Sequence, residues 1–126
     1  CEAEQRTAGG KTLTLILALN YSSRSEITRA VQRIAARVAA GELAPEEISE
    51  GTVSASLDTA PYPNPDLVVR TSGECRLSNF LLWQASYAEL YFPSQYWPDF
   101  DEESLYRAIC DYQSRERRFG KISEQL

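Results

Sequence analysis

Hydrophobic positions along the chain fall into two kinds of run. Residues 12–20, TLTLILALN, are dense in aliphatic side chains but alternate over only half their length, the pattern of a strand covered on both faces in a parallel sheet. Ile27, Ala30, Val31, Ile34, Ala35 and Val38 then recur at steps of three and four, which predicts an amphipathic helix. Ser23 and Glu26 have the S-x-x-E spacing of a capping box at its start, and Gly41 suits the left-handed position just past its end. Arg29, Arg33 and Arg37 share the polar side and read as a solvated helix face.

Residues 42–56 carry Pro45, Glu46 and Glu47, a helix-start composition that predicts one or two short helices. Residues 60–65, APYPNP, form a loop, because each proline removes a donor and restricts its predecessor. The β-branched run at 66–71 predicts a short strand that stops at the turn Ser72-Gly73, so Arg70 stands at the carboxyl end of a strand. Residues 80–91 are apolar nearly all round; their length predicts a helix to about Tyr87, with a further short strand over 89–92. Asp101 is the predicted N-cap of a last helix, with Glu102 and Glu103 in its first turn. Leu105, Ala108, Ile109 and Tyr112 form its expected buried stripe, and Arg115, Glu116, Arg117 and Arg118 its charged end.

Strand and helix alternate three times, the order of an α/β fold: a parallel-sheet layer structure with helices on both faces. Three strands are few for such a sheet, which is expected to be incomplete and finished by strands from a missing segment or a partner. The chain is read as one partial domain over 1–126, with 1–11 as a flexible start and 121–126 as a flexible tail.

Composition narrows the function classes. A chain of 126 residues, 25% charged and 43% hydrophobic, is ordinary for one globular domain. No apolar run approaches the roughly 20 residues that cross a bilayer. A net charge of -5 argues against a nucleic-acid groove, which needs a basic face. The absence of histidine removes Ser-His-Asp and Cys-His chemistry and every histidine-containing metal site. Cys1, Cys75 and Cys110 lack any C-x-x-C grouping, so a reducing compartment is the default and no disulfide framework is implied.

Ligands of open α/β sheets bind outside the carboxyl ends of the strands, which singles out residues 70–79, RTSGECRLSN. Arg70 and Arg76, hydroxyl side chains, Gly73 and an expected helix N-terminus converge there. Guanidinium forks bind phosphate bidentately and backbone N–H groups fill the remaining oxygens, so the segment outlines a diphosphate cradle. A second reading fits the same spacing: the arginines pair with Glu74 or other acids and Gly73 only makes a turn. It is not a P-loop, since Lys11 and Lys121 lie elsewhere. Glu89 stands at a strand start in an apolar context, either paired with an arginine or reserved for a hard cation such as Mg²⁺.

Several motifs, taken in order, resemble the cis-prenyltransferase family, which includes undecaprenyl diphosphate synthase and dehydrodolichyl diphosphate synthase. They are Asn20-Tyr21-Ser22-Ser23-Arg24, Arg70-Thr71-Ser72-Gly73-Glu74, Arg76-Leu77-Ser78-Asn79-Phe80-Leu81-Leu82-Trp83-Gln84, Tyr87-Ala88-Glu89-Leu90-Tyr91-Phe92, Trp97-Pro98-Asp99-Phe100 and Arg115-Glu116-Arg117-Arg118-Phe119-Gly120. The form with Ser72 in place of a second glycine, followed by Arg-Leu-Ser, is similar to eukaryotic members. The resemblance implies Mg²⁺-dependent condensation of an allylic diphosphate, such as farnesyl diphosphate, with isopentenyl diphosphate, repeated to build a cis-polyprenyl, dehydrodolichyl-like chain. It implies that Arg70, Arg76 and Ser78 act at the catalytic site by holding the diphosphate of isopentenyl diphosphate, and that Glu89 ligates Mg²⁺. Phe80, Leu81, Leu82 and Trp83 are candidates for a dry wall around the reacting centre, or for core packing. It also implies a homodimer or heterodimer and peripheral membrane contact through the product, while the net charge already argues against a nucleic-acid partner and the organelle is left open.

Two departures shape the expectation. Cys75 stands where bacterial members often place histidine. The family's D-G-N-G-R-W element, whose aspartate anchors Mg²⁺ and the allylic diphosphate, is absent. The chain thus resembles the second half of a longer protein: it carries the isopentenyl diphosphate half-site and is expected to be inactive alone. The rival expectation is a non-catalytic partner subunit of a cis-prenyltransferase complex.

Overall fold

A computed structural model describes residues 2–116. A first short helix, α1 (Glu2–Thr7), carries Glu2 and Glu4 in its first turn and buries nothing. The strand expected over 12–20 does not form. Leu13 and Leu19 are 84% and 85% exposed, and among the described residues no neighbouring strand pairs with the segment. A strand cannot satisfy its backbone groups alone, so the aliphatic density is present without the ladder it would serve.

α2 (Ser23–Ala39) follows, as its periodicity predicts, and Gly41 takes φ 73° beyond its end. The start differs from the capping box. Ser22 is the N-cap and accepts from the Ser25 N–H at 3.4 Å, while Ser23 and Glu26 turn inward and are fully buried. Ala30 and Ile34 are buried from the predicted stripe, but Val31 and Ala35 are exposed. The arginine face is not simply solvated. Arg29 and Arg33 grip the two oxygens of Asp58 at 2.5 and 2.9 Å, and Arg33 also donates to the Ser56 carbonyl at 2.7 Å. These bonds, Arg29 first, hold the Asp58 carboxyl below the usual carboxylate range.

The expected short helices appear as a 3-10 turn at Pro45–Glu47 and as α3 (Glu50–Ala55), capped by Ser49. β1 (Leu67–Val69) and β2 (Glu89–Tyr91) pair in parallel, with Leu67 opposite Glu89 and Val69 opposite Tyr91. The sheet among the described residues thus has two strands where three were expected. α4 (Glu102–Ser114) starts at Asp101, whose carboxylate accepts from the Ser104 N–H at 2.9 Å and its hydroxyl at 2.7 Å. Only Ser104 and Ala108 of α4 are buried, and Leu105 and Ile109 are exposed. A two-stranded sheet is too narrow to cover that stripe. Of the charged segment after α4, Arg117 onward lies outside the described residues.

The helix expected over 80–87 is replaced by successive turns. Asn79 and Leu81 take φ 64° and 47°, a left-handed backbone that no right-handed helix contains. A helix apolar on every side would also need cover on every side, and Phe80 and Leu82 remain 41% and 40% exposed. Among the described residues no helix is long and apolar enough to cross a membrane.

Candidate functional site

Parallel strands need a long crossover, and here residues 70–88 make it without a helix. Its first part is laced to the segment after β2. The Arg70 N–H donates to the Tyr91 carbonyl at 2.9 Å, Ser72 to Gln95 at 2.7 Å and Gly73 to Pro93 at 2.8 Å. The predicted turn is present, with Ser72 and Gly73 both left-handed at φ 71° and 66°.

Arg70 and Arg76 are brought together. The Arg70 Nη1 donates to the Arg76 carbonyl at 2.6 Å, and both residues line an open cavity of about 210 Å³ with Val68, Val69, Leu77 and Phe80. Arg76 pairs with Glu74 while its side chain stays 63% exposed. The bland reading of the sequence, an arginine beside an acid, therefore holds for Arg76. It coexists with two cations at one apolar-walled cavity beyond a strand's carboxyl end. Ser78 is exposed two positions later, at φ 49°. Larger openings, among them two of about 490 Å³ each, around Trp83 and beside Ile16–Tyr21, include neither arginine.

The helix N-terminus that meets this loop is that of α2 rather than one over 80–87. The Asn79 carbonyl accepts from the Ser23 N–H at 3.0 Å, its Oδ1 accepts from the Arg24 N–H at 2.8 Å, and its Nδ2 donates to the Ser22 Oγ at 2.9 Å. The Leu82 N–H donates to the Ser23 Oγ at 3.0 Å, and the Tyr21 and Phe80 rings meet edge-on at 5.5 Å. Phe80 thus packs on a ring instead of in the core, and Trp83 anchors to α3 through an Nε1–H donated to the Ser54 Oγ at 2.9 Å.

Behind this joint lies Glu26, fully buried and, among the described residues, without a cationic hydrogen-bond partner. It accepts from the Tyr21 hydroxyl at 2.5 Å, the Asp58 N–H at 3.0 Å and the Gln84 Nε2 at 3.0 Å. Burial, then the bond to Glu26, push the Tyr21 phenol above its ordinary value. Sequence reasoning missed Glu26 and Gln84. The available signal was a glutamate in the first turn of α2 beside an aromatic residue, and a local cap explained it equally well.

Glu89 is in a different place from the arginines. It pairs with Leu67 at the amino end of β1, whereas Arg70 leaves the carboxyl end. Its Oε2 accepts from Arg115 Nη1 at 2.9 Å, and Arg115 also reaches the Leu90 carbonyl at 3.0 Å and Asp111 at 2.5 Å. Among the described residues no group of three or more acidic, cysteine or histidine side chains could hold a metal. One carboxylate, with one oxygen engaged by a guanidinium, does not make a Mg²⁺ site by itself. Cys75 is exposed, its Sγ directed to the Gly73 carbonyl at 3.6 Å.

Residues 1–120 match the prenyltransferase family described as "putative undecaprenyl diphosphate synthase". An isoprenyl transferase of Agrobacterium fabrum is 55% identical over 99% of this chain and 51% of its own length. A farnesyl-diphosphate-specific ditrans,polycis-undecaprenyl-diphosphate synthase of Pseudomonas putida is 52% identical over 99% of this chain and 50% of its own. The chain thus spans about half the length of the curated relatives it matches. Among solved structures, lavandulyl diphosphate synthase from Lavandula x intermedia, in complex with dimethylallyl diphosphate, superposes with a TM-score of 0.90 at 41% identity. It covers 95% of this chain and 52% of that one. A probable undecaprenyl diphosphate synthase from Campylobacter jejuni gives a TM-score of 0.77 at 38% identity, covering 95% of this chain and 53% of that one.

Proposed function

The chain belongs to the undecaprenyl diphosphate synthase family of cis-prenyltransferases, and from that membership we propose that it supplies the isopentenyl diphosphate half-site of a polyprenyl diphosphate synthase. The observation that carries the reading is the cavity in which Arg70 and Arg76 face apolar Val68, Val69, Leu77 and Phe80. A five-carbon olefin ending in a diphosphate needs two cations for its charged end and a dry wall for its chain. The arginines stand beyond the carboxyl end of β1, where open α/β folds bind ligands.

The reaction in this reading breaks the allylic C–O bond, forms a C–C bond from the isopentenyl double bond, and releases diphosphate and a proton. The part of this chain is to bind and orient. Arg70 and Arg76 hold the isopentenyl diphosphate, and the Ser78 hydroxyl fills a further phosphate oxygen. The apolar wall keeps water from the carbocation-like carbon. Glu74 holds Arg76 until a diphosphate replaces it. Mg²⁺ would supply charge neutralisation to the substrate phosphates, and Glu89 would be one of its ligands only, released from Arg115 and joined by groups that the described residues do not supply.

The likeness of residues 70–78 to eukaryotic members supports a dehydrodolichyl-like product, and the names of the bacterial relatives support an undecaprenyl one. Dimerisation with a second family subunit and membrane contact through the product belong to the same proposal. The test is incorporation of radiolabelled isopentenyl diphosphate into polyprenyl product with farnesyl diphosphate and Mg²⁺. It is run for this chain and for the chain joined to the first half of a relative. Turnover in the joined protein alone establishes the half-site and the inactivity of the chain by itself, and product length decides between the two product classes. A folded chain inactive in both forms points to the partner-subunit role.

A further inference from the structure

We propose that Asn79 is a positioning residue for substrate binding: by joining the 70–79 loop to the first turn of α2, it holds Arg76 and Ser78 where they take isopentenyl diphosphate. The inference rests on the assignment of those residues to the diphosphate. Asn79 commits its carbonyl and both ends of its side-chain amide at once, to the Ser23 N–H, the Arg24 N–H and the Ser22 Oγ at 3.0, 2.8 and 2.9 Å. The first N–H groups of a helix have no partner within it. The Ser22 cap serves Ser25, so the donors of Ser23 and Arg24 are met from across the fold by one residue.

The backbone shows what this joint holds in place. Ser78 and Asn79 are successive left-handed residues, at φ 49° and 64°. Asparagine tolerates that region, but serine adopts it only where surroundings fix it. Upstream the loop is fastened by the Arg70 bond to the Arg76 carbonyl and by the bonds of Ser72 and Gly73 to the segment after β2. Downstream the fastening is the Asn79 joint, reinforced by the bond from Leu82 to Ser23. Without Asn79 the peptides on either side of Ser78 are free to return to ordinary dihedrals, and Arg76 and Ser78 move with them. The Asn79 carbonyl, Oδ1 and Nδ2 are each engaged by the start of α2, so the effect of its side chain passes through its neighbours.

The test is steady-state kinetics on whichever protein turns over in the incorporation assay, the chain or its joined form, with Asn79→Ala, Asn79→Gly and Arg76→Ala. Glycine keeps the left-handed backbone available and removes only the side chain, so it reports on the amide even if the alanine variant fails to fold. Both Asn79 variants are expected to raise KM for isopentenyl diphosphate roughly tenfold or more, with KM for the allylic diphosphate within about twofold. A normal KM in Asn79→Gly, or equal increases for both substrates, overturns the positioning role provided Arg76→Ala raises KM for isopentenyl diphosphate. If Arg76→Ala leaves that KM unchanged, or no protein turns over, the half-site reading fails and the proposal fails with it.

Discussion

Arg115 Nη1 lies 2.9 Å from Glu89 Oε2, an ion pair that ties the end of α4 to the start of β2. The same guanidinium bridges to Asp111 and to the Leu90 carbonyl, and the Glu89 bond is the main cause that raises the Arg115 pKa. The carboxylate assigned by resemblance to Mg²⁺ is therefore also a structural group, with the pair one-quarter to one-third exposed. Glu89→Gln is expected to cost on the order of 1 kcal/mol in urea unfolding, since it removes the charge but keeps an acceptor. If Glu89 also serves the metal, the joined enzyme carrying this change requires more Mg²⁺ for half-maximal rate. An unchanged Mg²⁺ titration assigns Glu89 to structure alone.

Arg70→Ala and Arg76→Ala are each expected to weaken isopentenyl diphosphate binding by about 2 kcal/mol or more, the scale of one lost charge-assisted contact in a partly dry site. The Arg70 change should have the larger effect. It removes a phosphate donor and also the bond that fixes the Arg76 carbonyl. Equilibrium binding of labelled isopentenyl diphosphate measures both, and unchanged affinity in the two variants removes the half-site assignment.

Ser72 holds φ 71°, a conformation that favours glycine. Replacing it should relieve strain in the folded chain more than it loosens the unfolded one. Ser72→Gly is expected to stabilise by roughly 0.5–1 kcal/mol, read as a higher thermal midpoint. A lower midpoint would show that the Ser72 side chain makes a contribution greater than the strain.

Asp58 links α2 to the segment after α3 through Arg29 and Arg33, and its carboxyl is held below the ordinary value in the fold. An unfolded chain binds that proton first as pH falls, so the tether contributes fully above the unfolded value of about 3.9. It is lost as pH drops further, through the lower folded value. The stability gap between the parent and Asp58→Asn should therefore be constant near neutrality and shrink below about pH 4. Urea unfolding across that range checks it, and a gap that does not change with pH assigns the tether to something other than the charge.

Glu26 has three donors aimed at it in a fully buried position. Glu26→Gln keeps the shape but places an amide donor against at least one of them, at an expected cost of about 1–3 kcal/mol. Glu26→Ala leaves all three donors unanswered and should cost more. Chemical denaturation ranks the two, and equal stability of the parent and Glu26→Gln would show that the network adapts.

Much of the architecture was legible because its signals are local. Helix α2 announced itself by apolar spacing, Gly41 and Asp101 marked helix ends, and β1 and β2 emerged from short β-branched and aromatic runs. The order of the motifs carries the family likeness, and residues 1–120 match that family. A cap, a turn or a stripe is settled within a few residues, so the chain itself carries the information.

Tertiary structure decided which of several locally satisfactory roles each residue takes. Glu26 could have closed a capping box, but a hydroxyl, an amide N–H and a side-chain amide from across the fold drew it inside. Residues 12–20 have the composition of a buried strand and lie exposed, because pairing depends on a neighbour and not on the strand's own residues. Residues 80–87 are apolar enough for a helix, yet left-handed Asn79 and Leu81 and the bonds to α2 bend them into turns. The sequence by itself determined the family, the extent of α2 and the start of α4. The joint at Asn79 and the pairing of Glu89 with Arg115 were decided only by the fold, since hydrogen bonds between distant segments form only once packing has brought their partners together.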